Sequence, residues 1–309
     1  MTALATPDAP LVWEAVSAAL TGRGGDPPTE QARADLRDLD LRPARELVRI
    51  LNETDATVAD AVATAGDSLA SAVDYIVAAL RAGGRLVYVG AGTSGRLAAL
   101  DAAECGPTFS TDQVVALFAG DDEAAEDDAA AGARAATAVA AGDVVVGVSA
   151  SGRTPYTVGA VESARTAGAR TIAVVCVRGS ELARVADLEV LLDVGPEVIA
   201  GSTRMKAGTA QKLALNTLST VTFVKLGKTY GNLMVDVHAS NDKLRARARR
   251  AVAIATGAPE RDVDDAIAAA GGDTKVALVS LAAGVNPTEA RARLDASGGN
   301  VREALGVLG

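Results

Sequence analysis

The stretch VVVGVSASGRTPY (144–156) decides the fold. Its first half, Val144 to Val148, is a continuous apolar run, β-branched except at Gly147 and without polar alternation, the pattern of a parallel strand covered on both faces. Its second half gathers Ser149, Ser151, Arg153 and Thr154 around Gly152 and ends in Pro155, a residue suited to the first turn of a helix. Strand, hydroxyl-rich turn and helix start follow one another directly.

The same signature recurs on either side. LVYVG (86–90), VVALFA (114–119), TIAVVC (171–176) and LEVLLD (188–193) read as four more buried strands. Ala-rich helical stretches over about 94–104, 123–141 and 155–167, and a shorter one near 180–186, separate them, and 202–228 reads as a long helix. This alternation predicts an α/β fold, a doubly wound parallel five-stranded sheet. Ligands of such sheets sit at the carboxyl ends of the strands, so the loops after the first and third strands are the places for chemistry. Residues 45–82 show two helical patterns joined at NETDAT, and 24–44 form a Pro- and charge-rich arm. Downstream, helices are expected at about 259–270, 273–283, 287–296 and 300–308, punctuated by Gly271-Gly272 and Gly298-Gly299. The expected units are an arm and helix (1–45), the sheet domain with its preceding helices (46–245) and a small helical C-terminal domain (246–309).

Composition narrows the chemistry. The 309 residues are 49% hydrophobic, enough for an ordinary core, with 30 Lys and Arg against 39 Asp and Glu, a formal net charge of −9. An acidic chain with only 3% aromatics has neither the charge nor the stacking platforms for nucleic acid. One His and two separated Cys exclude a disulfide scaffold and the usual zinc sites. Carboxylates, hydroxyls, Lys, Arg and backbone amides must therefore do the work, and the cysteine usage points to a cytoplasmic protein. The N-terminus carries Asp8 and Glu14 and no basic residue before Arg23, which does not read as a signal peptide. Apolar runs fall far short of the ~20 residues of a membrane span.

The first loop, Gly90-Ala91-Gly92-Thr93-Ser94-Gly95-Arg96, matches GxGxxG, with Asp121 or Asp122 as a conceivable ribose-binding acid. Alone it fits a helix cap, a dinucleotide site or a phosphomonoester site equally. The second loop breaks the tie, because two hydroxyl-rich strand-to-helix turns suit the three oxygens of a terminal phosphate better than one pyrophosphate. A serine hydrolase is excluded: GVSAS lacks the second Gly of a nucleophile elbow, and the lone His238 reads as structural.

GAGTSGRLAALDAAECGPTF (90–109), VVVGVSASGRTPY (144–156), VGPEVIAGSTRMKAGTAQKLALN (194–216) and YGNLMVDVHASNDKL (230–244) together resemble the sugar isomerase (SIS) fold family, over roughly residues 28–309. Within it they are most similar to the N-acetylmuramic acid 6-phosphate etherases, the DAAEC and GSTRMKAGTAQK blocks being the narrow ones. The resemblance implies cleavage of a D-lactyl ether from an amino-sugar phosphate in amino-sugar catabolism and cell-wall recycling. The products would be N-acetylglucosamine 6-phosphate and D-lactate. Elimination beside an open-chain aldehyde, followed by water addition, needs a carboxylate base and an acid and no cofactor. By the same resemblance Glu104 of DAAEC is the proton donor and Glu126 of Ala125-Glu126-Asp127 the second catalytic acid, with Glu123 the alternative register for the latter.

Substrate contacts are expected from Gly92, Thr93, Ser94, Ser149, Ser151, Arg153, Thr154, Arg204 and Lys206, the three cations making an acidic protein locally positive. The arm, Thr29-Glu30-Gln31-Ala32-Arg33, departs from the family's T-E-x-R-N. Thr93 and Glu104 stand eleven residues apart, about 16 Å along a helix. Either that helix ends before Cys105-Gly106-Pro107, or Glu104 serves a site shared across a homodimer, the arrangement favoured. A sugar-phosphate-binding regulator and a sugar-phosphate isomerase of the same fold are the alternatives, and an NAD-dependent dehydrogenase a distant one.

Overall fold

Five runs of Val, Ile, Leu and Ala form one parallel sheet in the computed structural model, which describes residues 27–120, 123–237 and 242–306. The first 26 residues, Asp121, Asp122, the Glu123 side chain and His238 lie outside the described residues. Three short 3-10 turns, the first at Pro28–Glu30, are followed by α1 (Ala44–Asp55), α2 (Val58–Thr64) and α3 (Gly66–Arg81). The sheet unit then runs β1 (Leu86–Gly90), α4 (Gly92–Phe109), β2 (Val114–Phe118), α5 (Ala129–Ala135), β3 (Val144–Ser149), α6 (Pro155–Thr166), β4 (Arg170–Val175), α7 (Glu181–Val185), β5 (Leu188–Leu191) and α8 (Lys206–Lys225). A small hairpin, β6 (Thr229–Tyr230) and β7 (Leu233–Met234), precedes α9 (Asp242–Thr256), α10 (Glu260–Ala269), α11 (Thr274–Ala283), α12 (Pro287–Ala296) and α13 (Val301–Ala304).

The strand order is β2-β1-β3-β4-β5, all parallel. The winding direction reverses between β1 and β3, so the switch point of the sheet lies there. Gly90 pairs with Val148 across it, and the two hydroxyl-rich loops therefore leave the sheet side by side.

Alternate strand residues feed two cores. Leu86, Tyr88, Val146 and Ile172 join Leu69, Ile76, Leu215 and Leu218 on one face, while Val87, Val89, Val145 and Val175 join Val158, Val161 and Leu182 on the other. Each such side chain contributes about 1.5–3 kcal/mol on burial. A third core, with Val252, Val263, Leu278, Leu294 and Val301, holds the C-terminal helices and takes Val235 from beyond the hairpin.

Several helices differ from expectation. α4 continues through Pro107 to Phe109, because the Phe109 ring stacks on Phe223 of α8 at 4.5 Å and the buried Cys105 side adds packing that outweighs the proline. The expected helix over 123–141 is a 3-10 turn (Glu123–Asp127), α5 and a second 3-10 turn; Asp128 accepts from Ala131 N at 2.8 Å and restarts the chain as a new helix. Residues 45–82 hold three helices, with a second break at Ala65 before Gly66. α8 begins at Lys206 rather than Ser202. α9 has no counterpart among the expected helices: in its Arg-rich sequence only Ala248, Ala251 and Val252 are buried, too narrow a stripe for the apolar period to register.

Candidate active site

The pocket at the switch point is built from two loops with different internal wiring. In the first, Gly92 has φ of +52°, and a Cβ there would collide with Glu126 Oε1, so the loop turns tightly under that carboxylate. In the second, Ser149 Oγ lies 2.9 Å from Thr154 Oγ1 and accepts from Gly152 N at 3.0 Å, while Ser151 Oγ accepts from Arg153 N at 3.2 Å. Gly152, at φ +63°, lets the loop lie against Ser180, whose Oγ an added Cβ would strike.

These loops enclose a cavity of about 380 Å³. It brings together Gly92, Thr93, Ser94, Ser149, Ser151 and Thr154 with Glu126, and adds Glu30, Arg96 and Thr203, none of which the loops' hydroxyl pattern points to. Glu30 carries a signal in the arm motif; Arg96 and Thr203 sit within family-like motifs that assign them no role. A larger cavity, about 980 Å³, lies beside α9 and the start of α11 and holds none of the expected site residues.

The backbone contributes part of the positive field at the cavity, against the two lining acids Glu30 and Glu126. α4 starts at this cavity without a side-chain cap, so its first amides and dipole stand open to an anion, while α6 starts beside it at Pro155, which has no N–H, and contributes only its dipole. The expected trio of cations does not supply the field. Arg153 and Arg204 are exposed and do not line the cavity. Lys206 is buried, with Nζ donating to Val194 O, and it faces a separate cavity containing Arg33. Burial pulls its ammonium below the usual lysine range, with Glu197 pulling the other way. The α8 N-terminus is itself taken: Glu197, fully buried, accepts from Lys206 N and Ala207 N at 3.0 Å each. Arg96, its guanidinium 5.8 Å from the Phe118 ring, is the cation lining the cavity among the described residues.

Glu104 is exposed and outside this cavity. The continuous α4 excludes the early helix end that would have brought it near Thr93. One turn before it, Asp101 is buried and accepts from Tyr88 OH at 2.9 Å, Asn216 Nδ2 at 2.7 Å and Ser219 Oγ at 3.1 Å, tying α4 to β1 and α8. Burial pushes the Tyr88 hydroxyl well above its ordinary pKa, with the Asp101 charge adding to it. Burial likewise pushes Cys105 and Cys176 up to about 12, so neither is a thiolate at neutral pH. Among the described residues there is no His, Cys, Asp and Glu grouping fit to hold a metal, and no single helix is long and apolar enough to cross a membrane.

A doubly wound five-stranded sheet with uncapped helix starts and hydroxyls at its switch point defines a SIS-type domain, and the SIS domain family model matches residues 51–176. The phosphoheptose isomerase structure from Francisella tularensis is 17% identical with a TM-score of 0.46, covering 57% of this chain and 98% of that one. N-acetylmuramic acid 6-phosphate etherase of Rubrobacter xylanophilus is 54% identical over 295 residues, 92% of this chain and 97% of that protein. The etherase of Streptomyces avermitilis is 52% identical over 288 residues, 90% and 93% of the two chains. The chain belongs to the N-acetylmuramic acid 6-phosphate etherase family.

Proposed function

We propose that this protein is a carbon–oxygen lyase that converts N-acetylmuramic acid 6-phosphate and water to N-acetylglucosamine 6-phosphate and D-lactate. The observation that carries the reading is the Glu126 carboxylate set over Gly92 in a cavity of hydroxyls and helix amides. The family relatives supply the substrate.

The 6-phosphate is held by the α4 amides and the α6 dipole with Thr93, Ser94, Ser149, Ser151 and Thr154. In the open-chain aldehyde the C2 proton is acidified by the carbonyl, and Glu126 removes it. The C3–O bond to the lactyl group breaks as Glu104 protonates the departing oxygen, and water adds at C3 of the resulting enal. Positioning does most of the catalysis, since the substrate carries its own electron sink.

Glu104, exposed on the same helix about 16 Å from Thr93, reaches a sugar only in the pocket of a second copy. A homodimer with shared sites is therefore part of the proposal. Exposed Arg153 and Arg204 belong to the same contact region in this reading; Lys206 does not. We also read 46–245 as the sugar-phosphate unit and 246–309 as a helical one, although α9 runs across that boundary. The setting is the cytoplasm, consistent with two buried free cysteines.

The test is incubation with N-acetylmuramic acid 6-phosphate in heavy-isotope water, following D-lactate and label in the sugar. Lactate release with solvent oxygen at C3 and solvent hydrogen at C2 is expected. Binding without lactate would overturn the enzyme reading.

A further inference from the structure

Ser94 faces the pocket, but its hydrogen does not. Ser94 Oγ donates to Gln211 Oε1 at 3.0 Å, from α4 to α8. Gln211 is 1% exposed, and its Nε2 meets no acceptor. A buried amide with an unmatched donor is costly, and a half-turn about its last side-chain torsion exchanges the two ends of the amide. After that turn Nε2 donates to Ser94 Oγ, the orphan donor gains a partner, and the serine hydrogen is released toward the pocket.

We infer that Gln211 is a positioning residue for phosphate recognition, whose amide turns to present Ser94 as a donor when an anion enters. This rests on the reading that the pocket takes the sugar 6-phosphate. With the pocket empty, either orientation makes one hydrogen bond to Ser94 and leaves one end of the amide unmatched, Nε2 in the observed arrangement and Oε1 in the turned one, so the two lie close in energy. A charged phosphate oxygen takes the serine hydrogen that only the turned arrangement frees, and it tips the balance. The amide stands behind Ser94 and is not among the residues that line the cavity, so it acts through the serine. Its chemistry is particular: a carboxylate would accept only, and an alkyl chain would do neither.

The experiment compares wild type, Q211M, Q211E, S94A and Q211M/S94A. It measures KM and kcat for lactate release, and calorimetric affinity for N-acetylglucosamine 6-phosphate and for unphosphorylated N-acetylglucosamine. Q211M is expected to weaken phosphate-ester binding about tenfold, the scale of one hydrogen bond to a charged group. The loss falls on KM more than on kcat, with binding of the unphosphorylated sugar unmoved. Its melting temperature stays level or rises, because the orphan donor is gone. Q211E, acceptor-only, should lose more. In the S94A background Q211M should cost nothing further, because the amide acts through the serine. Equal losses with and without Ser94, or an unchanged KM in Q211M, would overturn the inference. If Q211M does not fold, Q211L with Q211L/S94A decides the question by the same comparison. Wild type that binds the phosphate ester but releases no lactate defeats the etherase reading alone, leaving the binding cycle to judge Gln211. Wild type that binds no ester overturns both.

Discussion

The two loops at the switch point look alike in sequence and differ in how their side chains are held. In the second, Ser149, Gly152 and Thr154 are joined within six residues, and Cys176 and Leu182 add backbone ties to Ala150 and Gly152. The first loop leans on distant neighbours: Glu126 sits over Gly92, and Gln211 stands behind Ser94. A locally wired loop is a rigid receptor for a constant group such as phosphate. A loop whose partners arrive from other elements is where catalytic and adjustable groups can be added.

The largest effect should come from the first loop's overhanging acid. Glu126→Gln should lower kcat about 10²–10⁴-fold, the usual contribution of a positioned proton-transfer group, while product affinity measured by calorimetry changes little. If Glu126→Gln stays active, the acid over Gly92 is not the base.

Glycine replacements should separate the loops further. Gly152→Ala forces a Cβ onto Ser180 Oγ, which caps α7, at a left-handed position, and should cost about 2–3 kcal/mol in urea unfolding. Gly92→Ala has similar backbone strain but displaces only the end of the Glu126 side chain. It should therefore lose more activity than stability; the reverse order would erase the contrast between the loops.

Two thiols are buried at different distances from the site: Cys105 in the far half of α4, and Cys176, whose N–H donates to Ala150 O of the second loop. Both have folded pKa values of about 12 against 9.0 unfolded. Below pH 9 both states hold the proton, and above it the unfolded chain loses it first. Stability should thus be full below pH 9 and fall by about 1.4 kcal/mol per pH unit for each thiol toward pH 12. Urea titrations of Cys105→Ala and Cys176→Ala should each remove one such slope. Smallest of all, Arg153→Ala should alter stability by less than about 0.5 kcal/mol, because the side chain is exposed at the rim of the second loop.

The strands are legible in the sequence because a strand buried on both faces announces itself as an unbroken apolar run, and the hydroxyls of the two loops because they follow strand ends directly. Lys206 misleads for a physical reason: a lysine beside a helix start suggests an anion site, but Glu197, nine residues earlier, already fills that terminus. Gln211 leaves no mark in the periodicity, since a buried amide on α8 is indistinguishable from a polar residue on its surface until α4 is laid against it. Glu104 stands out through its motif, yet its exposure does not, because Pro107 argues for an end to the helix that stacking of Phe109 overrides.

The Asp101 anchor has a mechanical consequence. With one buried carboxylate gripping the strand hydroxyl of Tyr88 and two side chains of α8, α4 cannot pivot on the sheet without leaving several polar groups unpaired at once. The floor of the pocket is thereby a fixed platform. Any widening to admit a hexose bearing a lactyl arm falls to the 3-10 turn that carries Glu126 and to the strip of arm that carries Glu30, which line the cavity from outside α4.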